Sequence, residues 1–213
     1  MKMLLAGLVL LCAVLYQVAV ARGGRVTAAP WRMATILAAA ALALAGLPGH
    51  PDPAFAWAVG LGLCVSVFGD LFFVLPQERF VPGLVAYLLG HLCYIAGMVW
   101  GAGASGSYAV LAGLGVVTFF LFRPIAAGMK QTGRGDLVVP AVVYAGVLTV
   151  MLWRALSAGA PLLAAAGLLY YVADTVMVWH RFVRPVRGQQ VIEFSCYYGA
   201  QFAFAAAVAW VVV

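Results

Sequence analysis

The chain is poor in charge. Only 8% of its 213 residues are Asp, Glu, Lys or Arg and just six are acidic, against 66% hydrophobic residues and a mean hydropathy of +1.08. A water-soluble domain covers its surface with roughly a quarter of charged residues, so a globular soluble enzyme is excluded and the bilayer is the solvent that suits this composition. Runs of alternating polarity about ten residues long are scarce, which argues against an outer-membrane barrel. The four cysteines, Cys12, Cys64, Cys93 and Cys196, stand singly in apolar runs with no Cys-x-x-Cys pair, so neither a disulfide framework nor a thiolate zinc site is expected. Histidine is just as sparse: His50, His91 and His180 fall at different heights, and the only conceivable metal triad is His91 with Asp70 and Asp174. No metal and no cofactor is expected. A Gly-x-Ser-x-Gly nucleophile elbow is absent. The net charge of +6 is spread singly through short loops without an aromatic platform, so nucleic acid is not an expected partner.

What is present is hydrophobic length. Taking about 20 apolar residues per span, the chain divides into eight helices, 3–20, 31–47, 54–75, 81–100, 107–122, 137–155, 160–180 and 190–212. The expected fold class is therefore all-α, a polytopic bundle of eight transmembrane helices forming one domain over residues 1–213. Pro48, Pro51 and Pro53 punctuate one connection, Gly101, Gly103 and Gly106 another, and Gly128, Gly133 and Gly135 a third. Arg22, Arg25, Arg32, Arg79, Arg123, Lys130, Arg134, Arg181, Arg184 and Arg187 fall on one side, and Lys2 and Arg154 on the other. Positive charge is retained in the cytoplasm, so both termini are expected to be extracytoplasmic. An uncleaved first helix agrees with that count. Cleavage after the Ala-Val-Ala of residues 19–21 would leave Arg22, Arg25 and Arg32 on the wrong side.

Six acids leave few places to look. Asp52 and Asp136 fall in loops and Glu78 in the turn from Pro76 to Arg79, whereas Asp70 and Asp174 sit inside apolar helices. A carboxylate at that depth costs about 3 kcal/mol on insertion scales and marks a site by default. At about 1.5 Å per residue, Asp70 lies about 8 Å from Leu75 and Asp174 about 9 Å from His180, so the two are expected to face one chamber. Helices four, six and eight bring His91 and Tyr94, Tyr144, and Tyr197, Tyr198 and Gln201 into the same layer. Tyr87, His91 and Tyr94 follow i, i+4, i+7; Ser66 with Asp70 and Tyr170 with Asp174 are i, i+4 pairs. Each Tyr or Gln also serves as ordinary interhelical glue. A shift of 104 residues lays Asp70 on Asp174 and Tyr94 on Tyr198, a possible parallel repeat of the kind found in transporters. A proton-coupled transporter of a small or lipid-like solute is thus the alternative to an enzyme, and a purely structural membrane protein is a third.

The order of these residues resembles the YhhN family of lysoplasmalogenase-like membrane proteins. Gly69-Asp70, Phe80-Val81-Pro82-Gly83, His91 and Tyr94 are similar to its first block, and Pro140 with Tyr144, Gly167 to Asp174, and Tyr198-Gly199-Ala200-Gln201 to its later ones. Tyr87 and Tyr170 stand where that pattern has Phe, Ala173 where it has Ser, and His180 where an amide is common. The resemblance implies hydrolysis of the vinyl ether of a lysoplasmalogen to a fatty aldehyde and a glycerophospho-ethanolamine or -choline. Asp70 and Asp174 would be catalytic, and His91, Tyr94, Tyr144, Tyr198 and Gln201 would bind substrate. Protonating the β-carbon creates an oxocarbenium ion that water attacks, a task that suits one protonated and one ionised carboxyl. The expected partners are a lysophospholipid and membrane lipids, with the phosphate meeting Arg79, Arg123 or Arg181, and the expected location is the inner membrane of a bacterium with GC-rich codon usage.

Overall fold

The computed structural model describes residues 1–23, 25–75, 79–102 and 106–210. Gly103, Glu78 with most of its turn, and the side chain of Arg25 lie outside the described residues. Every regular element among the rest is helical: α1 (Lys2–Ala21), α2 (Arg25–Leu44), α3 (Pro53–Val74), α4 (Phe80–Ala102), α5 (Tyr108–Gln131), α6 (Val138–Ser157), α7 (Pro161–Phe182) and α8 (Gln189–Ala209), with a 3₁₀ turn at Gly135–Leu137 before α6. Among the described residues seven are long and apolar enough to span a bilayer, and α2 contributes a shorter apolar stretch, Ala28–Leu44. The protein is a multi-pass helical membrane protein.

Local chemistry sets the ends. Asp52 caps α3 by accepting the Phe55 N–H at 2.9 Å, with Pro53 at the first helical position, where its missing N–H removes nothing. Pro161 opens α7 the same way. Between α7 and α8, His180 Nδ1 accepts the Val186 N–H at 3.0 Å, and Gly188 turns the chain at φ 67°. Lys2 Nζ donates to the Ala209 carbonyl at 2.7 Å, placing a cation at the C-terminal end of α8.

Two helices run further than the hydropathy pattern predicts. α2 starts at Arg25 and accommodates Pro30, so Arg32 is a helical residue and not a loop cation. α5 continues past Arg123 and Pro124 to Gln131. Arg123 stays exposed, its guanidinium 5.8 Å from the Phe119 ring, while Ile125 and Met129 on the buried face join Phe80, Leu137 and Phe182 in a small satellite core.

Six helices close a ring in the order α2, α3, α4, α6, α7, α8 and back to α2. α1 lies outside against α2 and α8, and α5 outside against α6 and α7. α8 is the most enclosed, packing on α1, α2, α3 and α7 with an Ala-rich face from Ala200 to Ala209. Among the described residues the backbone of α4 touches neither α7 nor α8. Large side chains close that gap: Tyr94 stacks on Phe204 of α8 at 4.2 Å, and His91 meets Tyr170 of α7 at 4.5 Å. Elsewhere glycine permits close approach. A Cβ on Gly46 would stand 2.7 Å from the Val208 carbonyl oxygen and 2.8 Å from Ala209 Cα.

Gly46→Val is expected to lower stability by about 1–3 kcal/mol, since backbone on the far side has no freedom to yield. Gly113→Val in α5, where a Cβ meets nothing within 4 Å, is the control and leaves the midpoint unchanged. Thermal unfolding in detergent checks both.

Candidate active site

The two intramembrane carboxyls occupy different settings. Asp70 is fully buried in α3, and Arg32 Nε of α2 donates to its Oδ1 at 2.6 Å. Tyr87 of α4 donates to the same oxygen at 2.8 Å, and Tyr197 of α8 donates to Oδ2 at 2.9 Å. Arg32 Nη2 also donates to Tyr87 at 3.2 Å, and the guanidinium lies 4.8 Å from the Phe194 ring and 5.7 Å from that of Phe73. Four ring helices are thus tied to one carboxylate whose charge is matched by a partly buried cation. Gly69 makes room for this: a Cβ there would run into the Tyr87 ring.

Asp174 of α7 has no Lys or Arg in ion-pair contact among the described residues. Tyr144 of α6 donates to its Oδ2 at 2.6 Å, and His91 Nε2 of α4 lies 3.9 Å from that oxygen. The side chain is 11% exposed and lines a cleft of about 60 Å³ between α4, α5, α6 and α7. Phe80, Leu84, Leu121, Phe122, Ile125 and Leu148 form its apolar walls, and among the described residues Asp174 is the only carboxyl lining it. Among the described residues the backbones of α4 and α5 do not touch, and their side chains meet at Phe80, Ile125 and Met129. Near one end Arg181 lies 4.5 Å from the ring of Phe80, itself a wall residue.

The remaining candidates divide between these settings. Tyr144 lines the cleft and His91 adjoins it. Tyr94 and Gln201 form a buried relay, Tyr94 donating to Gln201 Oε1 at 2.7 Å and Gln201 Nε2 donating to the Tyr170 hydroxyl at 3.1 Å. Tyr198 lies elsewhere, on a groove between α1 and α8 with Gln17 and Phe202. Asp70 lines neither the cleft nor that groove. The carboxyls expected to share a chamber connect through rings: Asp70 to Tyr197, Tyr197 to Tyr170 at 5.5 Å, Tyr170 to His91 at 4.5 Å, and His91 to Asp174. Each is held from the helix before its own and from α4, with α8 added for Asp70, so helix for helix the two settings match the suggested repeat and differ in the side chains: Arg32, Tyr87 and Tyr197 around Asp70, Tyr144 and His91 around Asp174.

Two participants escaped the sequence reading. Arg32 was counted with the loop cations, yet its i, i+4 neighbours Ala28 and Ile36 are buried, a sign that this face of α2 turns inward. Glu193, one turn into α8, is a third buried acid, accepting from the Gln189 amide. Its position four residues before Tyr197 was the available signal.

A profile of the YhhN family matches residues 27–208. The chain belongs to the YhhN family. Human lysoplasmalogenase TMEM86B is 30% identical to it over 176 residues, covering 80% of this chain and 73% of the human protein. The Mycobacterium bovis lysoplasmalogenase is 31% identical over 154 residues, 68% of this chain and 55% of that relative. The membrane protein YhhN of Escherichia coli O6:H1 is 25% identical over 166 residues, 70% of this chain and 73% of the relative. The pig, rat and mouse TMEM86B proteins are matched over 58%, 61% and 63% of their lengths. No solved structure matches the chain.

Removing the guanidinium tests the Asp70 cage. Arg32→Met leaves a buried carboxylate unpaired and is expected to cost about 3–5 kcal/mol, whereas Arg32→Met combined with Asp70→Asn recovers a large part of that loss. A double-mutant cycle of thermal unfolding in detergent reads the coupling, and additive losses would refute it.

Proposed function

We propose that this YhhN-family protein is a lysoplasmalogenase-type hydrolase that cleaves the vinyl ether of a lysoplasmalogen, releasing a fatty aldehyde and a glycerophospho-base. The observation that carries this reading is an apolar cleft lined by α4, α5, α6 and α7 with, among the described residues, a single carboxyl, Asp174, on its wall. A long-chain amphiphile enters such a cleft from the bilayer without leaving oil, and its enol ether meets one acid. The names of the human and mycobacterial relatives support the same substrate class.

The two aspartates take unequal parts. Asp70, bonded to a guanidinium and two phenols, serves as the ion-pair partner of Arg32 and orients Tyr87 and Tyr197. Asp174, with one phenol and no guanidinium or ammonium beside it, carries the proton that reaches the β-carbon. The alkenyl chain lies along Phe80, Leu121 and Phe122, and Arg181 beside Phe80 receives the phosphate. The protein works in this reading at the inner leaflet of a bacterial cell membrane, with both termini outside.

Purified protein in detergent is expected to release aldehyde from an alkenyl lysophospholipid, and Asp174→Asn to lower that rate by about 10²–10⁴ with thermal stability preserved, because Asn keeps the shape and accepts the Tyr144 hydrogen bond. Unchanged turnover in Asp174→Asn would sink the assignment. Arg181→Ala is expected to raise KM while sparing kcat, and steady-state kinetics on the same lipid separates the two constants.

A further inference from the structure

His91 is a fully buried imidazole, and among the described residues neither ring nitrogen has a hydrogen-bond partner. Buried polar atoms of a folded protein are satisfied as a rule, and an orphaned pair beside a candidate acid asks for an explanation. Its ring is fixed from two sides, edge-on against Tyr170 at 4.5 Å and against Tyr144 at 5.3 Å. Packing this tight aims Nε2 at Asp174 Oδ2, 3.9 Å away. That separation is too long for a direct hydrogen bond and right for one water shared between the two groups. A third partner is at hand, because the Tyr144 oxygen that donates to the same Oδ2 at 2.6 Å keeps lone pairs to accept a water proton. Two to four polar partners are what a buried water needs.

We propose that His91 and Asp174 hold between them the water that attacks the oxocarbenium carbon, with His91 as its base. This rests on the vinyl ether reading above. In the first step the alkene π pair takes the Asp174 proton at the β-carbon, leaving an oxocarbenium ion at the α-carbon and a carboxylate on Asp174. The water oxygen then bonds to the α-carbon while one of its protons passes to His91 Nε2, giving an imidazolium beside that carboxylate and a neutral hemiacetal. Collapse of the hemiacetal breaks the bond from the α-carbon to the glycerol oxygen. The leaving oxygen takes the proton from His91, and the hemiacetal hydroxyl proton returns to Asp174. One water is consumed, and both side chains end as they began.

The experiment is turnover in D₂O with the isotopic content of unreacted lipid measured by mass spectrometry. Wild type is expected to give aldehyde with one deuterium beside the carbonyl and recovered vinyl ether with none, since water captures the cation faster than it reverts. His91→Leu is expected to lower aldehyde release by about 10²-fold or more and to place deuterium on the β-carbon of the recovered lipid, because the uncaptured cation gives a hydron back to Asp174. His91→Gln, whose amide still binds water, should show smaller exchange than His91→Leu, and it carries the test should the Leu variant not fold. Full turnover in His91→Leu, or slow turnover with no exchange in either variant, overturns the proposal and leaves the hydrolase reading standing. Absence of aldehyde from wild type on every alkenyl lipid removes the hydrolase reading itself.

Discussion

A guanidinium and a carboxylate facing each other at 2.6 Å inside an apolar bundle govern much of this molecule. Neither Arg32 nor Asp70 is tolerable alone at that depth, and each removes the other's penalty only when geometry and further hydrogen bonds are good. Tyr87 and Tyr197 supply those bonds, and in doing so they lock α2, α3, α4 and α8 at one level. Lipid offers little hydrophobic reward for bringing helices together, so polar ties and close packing of small residues carry the association. The ring is built from both: the cage around Asp70 and the Ala and Gly faces of α8 and its neighbours.

The second carboxyl is left without a cation because of how the ring closes. α4 stands away from α7 and α8, and aromatic side chains fill the space between them. Tyr170, Tyr197 and His91 separate the two acids with low-dielectric material that still relays hydrogen bonds at its edges. Asp174 lines a cleft walled on one side by α5, whose backbone packs on α6 and α7 and whose side chains meet Phe80 of α4. One acid is enclosed and paired with a guanidinium and the other lines an apolar cleft, so one layer of the bundle holds two carboxyls in different environments.

The transporter alternative drew on the same acids and on the suggested repeat. The helices around Asp70 and Asp174 correspond under that repeat, while the side chains that hold the two acids differ in partners and in charge. Membership of the YhhN family and the lysoplasmalogenase names of its relatives weigh on the side of an enzyme.

The helical membrane class was legible from composition alone, because apolar runs of about 20 residues have no other stable form in oil. Intramembrane placement singled out Asp70, Asp174 and His91 as well, since depth along a helix is linear in residue number. Which groups pair was not legible. Arg32 read as a retained cytoplasmic cation because a loop and the first turns of a helix share one charge rule, and only the inward face of α2 distinguishes them. Tyr198 sits beside Tyr197 in the chain, yet a step of one residue turns it about 100° around α8, onto the groove with α1 and out of the lining of the cleft at Asp174. Periodicity along one helix reports a face, and what that face meets is set by rotations and distances between helices, so the sequence determined the layer in which the polar side chains sit and the tertiary structure alone decided which acid meets a guanidinium and which lines a cleft.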